Sequence, residues 1–66
     1  MKIRINGKEE NLDRPKNLAD LIRAKGLVPE HVVVEYNLKI ILAGEWAGVA
    51  LKENDSIEII SFVGGG

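Results

Sequence analysis

A chain of 66 residues reads as one small domain that must be held by a single core, and eight isoleucines, seven leucines and six valines can build it. With no cysteine, a disulfide framework, a thiolate zinc site and a cysteine nucleophile are excluded, and a cytoplasmic location is the natural expectation. Nine Lys and Arg against ten Asp and Glu leave a net charge of −1, which argues against a nucleic-acid partner, and no apolar run suggests a membrane span or a signal peptide.

The chain opens on a hairpin. Ile3 and Ile5 share one strand face, and Asn6-Gly7 is the preferred dipeptide for a tight turn in which both central residues take positive φ. The return strand, Lys8 to Leu12, is highly charged and so predicts a sheet edge. Asn17 then offers an N-cap, and Asp20 lies near the positive end of the helix dipole. Leu18, Leu21 and Ile22 form the apolar stripe of a short helix, closed by Gly26 in a left-handed cap. Leu27 and Val28 are expected to tuck under the helix end.

Val32 to Tyr36 is a β-branched strand, turned at Asn37 into Lys39 to Leu42. A loop follows around Ala43-Gly44-Glu45-Trp46, then a polar turn at Lys52 to Asp55. The last strand, Ser56 to Val63, places Ile57, Ile59 and Val63 on one face and Glu58, Ile60 and Phe62 on the other. It is apolar on both faces over much of its length, as expected of a central strand. The order β-β-α-β-β-β predicts an α+β fold of the β-grasp, ubiquitin-like kind. One helix would cover one face of a mixed sheet of about four to five strands, with the first and last strands parallel in its middle. Other small α+β topologies share that element order. The domain is expected to span 1–63, with 64–66 as a flexible C-terminal glycine arm.

Catalytic groups are scarce. His31 is the single histidine and sits at a strand entrance, where a solvated imidazole is the default. Glu9 and Glu10 are adjacent on a strand and so point to opposite faces, and no metal-ligand spacing occurs. The chain is not expected to be an enzyme, nor to bind a metal or cofactor of its own.

Gly64-Gly65-Gly66 follows the last strand with no polar spacer. Taken alone, such an ending is a frayed terminus. Behind an apolar strand it becomes a slender arm that can enter another protein's narrow channel, because nothing protrudes from its backbone. The segment Asp55-Ser56-Ile57-Glu58-Ile59-Ile60-Ser61-Phe62-Val63-Gly64-Gly65-Gly66 resembles the end of the ThiS family, the sulfur carriers of thiamine thiazole synthesis. Asn6-Gly7, Val34-Glu35-Tyr36-Asn37 and Trp46 extend the resemblance over essentially the whole chain. Glu53-Asn54-Asp55 stands where an Asp-Gly-Asp turn is common, and Ala43-Gly44-Glu45 lacks the proline and arginine often found before the tryptophan.

The resemblance implies that Gly66 is adenylated by a ThiF-like enzyme, which holds the ATP and magnesium. A persulfide sulfur donor then converts it to a thiocarboxylate, and that group supplies a ThiG-like thiazole synthase. Gly64, Gly65 and Gly66 would be presented to the partner's active site. A molybdopterin-synthase small subunit shares the Gly65-Gly66 ending, and a ubiquitin-like modifier or interaction module is the rival from another class. Ile60, Phe62 and Val63, next to the arm, are the candidate docking residues. Phe62 has two placements by parity alone: exposed for docking, or folded under the Trp46 loop as core.

Overall fold

The computed structural model describes residues 1–13 and 16–62. The strands are β1 (Lys2–Ile5), β2 (Lys8–Asn11), β3 (Val32–Tyr36), β4 (Lys39–Ile41) and β5 (Ser56–Ser61), with one helix, α1 (Leu18–Ala24). They form a mixed sheet in the order β2-β1-β5-β3-β4, in which β1 and β5 run parallel and β5 is central. This is the predicted β-grasp arrangement. β2 lies at one edge, as its charge suggests.

Local chemistry accounts for the elements. Asn6 and Gly7 take φ of 51° and 81°, the conformation of a tight hairpin turn. The Asn17 side chain accepts from the Asp20 N–H at 2.8 Å and so satisfies one of the orphan donors at the start of α1. At the other end Gly26, with φ of 70°, lets its own N–H reach the Arg23 carbonyl while Leu27 N–H reaches Ile22. Seven residues are too few to hold a helix in water, so α1 depends on docking. Leu18, Leu21 and Ile22 are completely buried against Ile3, Ile5, Val34, Ile57 and Ile59. Each such side chain contributes about 1.5–3 kcal/mol.

Three expectations are corrected. Leu27 packs against the core, but Val28 is exposed, because Pro29 starts a 3₁₀ turn (Pro29–His31) that carries the chain away from the helix. The Trp46 region is not an irregular loop but a 3₁₀ segment (Ala43–Gly48) that closes the core beside α1. Its indole is buried and donates to the Ile41 carbonyl at 2.9 Å. β2 stops one residue short of Leu12. As expected, β5 is central and α1 covers one face of it. Val63 and the three terminal glycines lie outside the described residues.

Candidate functional site

The site to be built is the end of β5, the strand that leads into the glycine segment. Along it, Ile57 and Ile59 turn toward α1, while Glu58 and Ile60 turn to the open face. Ile60 is 59% exposed, and Phe62, just past the strand, is 47% exposed and outside the core cluster. The Trp46 segment therefore packs without Phe62. Val33 stands opposite Ile60 on β3 and is half-buried.

Two sets of hydrogen bonds hold this strand end. On the β3 side, Phe62 N–H donates to the His31 carbonyl at 2.8 Å. On the β1 side the register ends at Ile5 with Ile57, and the Asn6 side chain replaces a strand residue. Asn6 Oδ1 accepts from Ile59 N–H at 2.7 Å, and Nδ2 donates to the Ile59 carbonyl at 3.2 Å. The turn asparagine thus serves twice, once in backbone shape and once as a ladder rung. A groove of about 350 Å³ runs beside it, lined by Asn6, Lys8, Lys25, Ile59 and Ser61 among others.

The start of β5 holds a feature absent from the sequence reading. Asp55, placed there in a polar turn, is only 5% exposed. Its carboxylate accepts from the Tyr36 hydroxyl at 2.7 Å, from Lys52 N–H at 2.7 Å and from Asn37 Nδ2 at 3.2 Å. Burial alone pushes this carboxyl up, but the hydrogen bonds from Tyr36, Lys52 and Asn37, with the Lys52 charge, outweigh it and hold its pKa below the ordinary value. Burial, the hydrogen bond and the charge of Asp55 together push the Tyr36 hydroxyl up to about 12. The cluster pins the β3–β4 turn to the strand that carries the candidate site.

The other ionisable candidates do not converge. His31 is exposed, and its carbonyl accepts from Phe62 N–H just past β5. Glu9 lies 3.9 Å from Lys2 and Glu10 3.0 Å from Lys25, on opposite sides of the sheet. Among the described residues no group of three or more His, Cys, Asp or Glu is placed to hold a metal. No described helix is long and apolar enough to cross a membrane.

A family model described as "ThiS family" matches residues 3–66. The chain belongs to the ThiS family. Thiazole synthases of Magnetococcus marinus and Paramagnetospirillum magneticum are 39% and 38% identical to it over all 66 residues. The chain spans 20% of the length of each. The crystal structure of the thiamine biosynthesis protein ThiS from Geobacter metallireducens superposes with a TM-score of 0.83 at 29% identity, over the whole of both chains. Membership places Gly64, Gly65 and Gly66 inside the matched range, at its end.

Proposed function

We propose that this ThiS-family chain is a sulfur carrier of thiamine biosynthesis whose reactive group is the carboxylate of Gly66. The observation that carries the reading is the family match over 3–66, whose last residues are the glycines that follow β5. In the first step a ThiF-like enzyme, with its own ATP and magnesium, joins the Gly66 carboxylate to AMP and releases pyrophosphate. This converts a poor leaving oxygen into a good one. A persulfide sulfur then attacks the acyl carbon, AMP departs, and a thiol opens the resulting acyl disulfide to leave the thiocarboxylate. The chain has no cysteine, so that thiol belongs to a partner.

The thiocarboxylate is handed to a ThiG-like thiazole synthase, and the likeness to two proteins of that name supports this recipient. Gly64 and Gly65 present the terminus, because a backbone without side chains passes a narrow channel. Ile60 and Phe62, exposed at the strand end, and Val63 after them, form the docking contact. The carrier supplies no catalytic group. Electrostatic stabilisation of the transition state belongs to the partner.

Intact-mass spectrometry after incubation with a ThiF-like enzyme, ATP, magnesium and a persulfide donor tests this. The expected result is one sulfur-for-oxygen exchange in the C-terminal peptide, lost when Gly66 is deleted. An unchanged mass with an enzyme that loads its own carrier would refute it.

A further inference from the structure

The side chain of Asn6 does more than its hairpin requires. A tight turn with positive φ at both central residues accepts glycine or aspartate in the first of them as well as asparagine. Asparagine alone of the three carries both an acceptor and a neutral amide donor on a short side chain. Both are spent on one residue 53 positions away, Oδ1 on the Ile59 N–H at 2.7 Å and Nδ2 on the Ile59 carbonyl at 3.2 Å. The turn therefore does not account for the choice of asparagine, and the contact with β5 does.

That contact lies where the sheet runs out of strand. β1 has four residues and β5 has six, and their register pairs Arg4 with Ser56 and Ile5 with Ile57. Asn6 N–H reaches the Ile57 carbonyl at 2.9 Å, and at Gly7 the chain turns away into β2. Without the Asn6 amide, the hold on the β1 side would end at Ile57, and the rest of β5 would be held along β3 alone. The β3 hold also reaches its limit there. β3 starts at Val32, and the Phe62 N–H bonds to His31 in the 3₁₀ turn before it. A strand end bonded along one edge opens locally more easily than one bonded along both. Phe62 lies three residues beyond Ile59, about 10 Å of extended strand. Gly66 lies seven beyond, at most about 25 Å, so a small swing at Ile59 is magnified at the terminus.

We infer that Asn6 is a positioning residue for sulfur loading, whose side-chain amide fixes the direction in which β5 delivers the glycines to the partner's active site. The inference rests on the sulfur-carrier reading, and Asn6 acts through Ile59, not on the reacting carboxylate. Docking and delivery are separable. Ile60 stays paired with Val33 across β3, so the docking contact survives loss of the Asn6 amide. What falls is the fraction of docked carriers that place Gly66 within reach of the reaction.

The test is the sulfur-loading assay, run well below Tm, on two variants. Asn6→Gly keeps a turn that tolerates positive φ and deletes both bonds to Ile59. Asn6→Asp keeps the turn and the side-chain size but sets a carboxylate oxygen against the Ile59 carbonyl. Each should lower kcat about ten-fold and leave KM for the carrier within about two-fold. Ile57→Val removes a buried methyl group from the same strand, lowers Tm without touching the Asn6 contact, and keeps the wild-type kcat. In hydrogen exchange followed by NMR, the Ile59 and Phe62 amides of Asn6→Gly accelerate by a larger factor than the Val34 amide of the core. A kcat within two-fold of wild type in either variant, an equal fall in Ile57→Val, a loss confined to KM, or uniform acceleration of all three amides would overturn the positioning inference alone. A wild-type chain that takes up no sulfur would overturn the carrier reading and this inference together.

Discussion

Asp55→Ala removes a buried acceptor and leaves its donors behind. The Tyr36 hydroxyl and the Lys52 N–H each lie 2.7 Å from Asp55 Oδ2. Hydrogen bonds to a charged acceptor contribute about 1.5–3 kcal/mol each. Tyr36 keeps an alternative at the Ala50 carbonyl, 3.3 Å away, and Asn37 is exposed enough to turn to water. The lower end of the sum, about 3 kcal/mol, is therefore the expected loss. For a domain of this size that is a fall in Tm of about 12–24 °C. It is a large part of the roughly 3–10 kcal/mol available to such a chain.

Thermal melts followed by circular dichroism at pH 7 measure this loss, and the same melts against pH test its electrostatic part. The folded pKa of Asp55 lies below the ordinary 3.8, so its contribution is complete above that value and is lost as pH falls through the folded pKa. The gap between wild type and Asp55→Asn should be constant near neutrality and close in acid. For Tyr36 the sign is reversed. Its contribution is complete below 10.0 and disappears as pH rises through about 12, a decline that Tyr36→Phe should lack. A Tm for Asp55→Ala within about 4 °C of wild type would refute the reasoning, as would an Asp55→Asn gap that persists in strong acid.

Phe62→Asp should raise KM for sulfur loading about ten-fold while moving Tm by less than about 4 °C, because the ring is exposed and outside the core. A drop of more than about 10 °C in the same melt would make it a core side chain. Leu38→Gly should stabilise the fold. Leu38 is 90% exposed with φ of 73°, so glycine removes about 1–2 kcal/mol of backbone strain and gives back about 0.5–1 in entropy. A lower Tm would show that the leucine side chain packs.

The local elements of this protein are written in short stretches of sequence. Asn6-Gly7 dictates the hairpin, Asn17 and Gly26 bound the helix, and the spacing of Leu18, Leu21 and Ile22 chooses its buried side. The element order then predicts the β-grasp topology, and the final segment carries the family resemblance. Each of these signals acts within a few residues, where allowed φ and side-chain alternation decide the outcome.

What the tertiary structure alone decided involves residues far apart in the chain. Asp55 looks like a turn residue until Tyr36, nineteen positions away, closes over it. Asn6 looks complete as a turn former, yet its side chain finishes the ladder at Ile59, 53 positions on. Val28 has the composition of a core residue, but Pro29 directs it into solvent. Glu35 and Glu58 are unremarkable as letters, and only the pairing of β3 with β5 sets them opposite each other. Alternation says which residues share a face, but strand register says which of them meet. Register is chosen by the core as a whole.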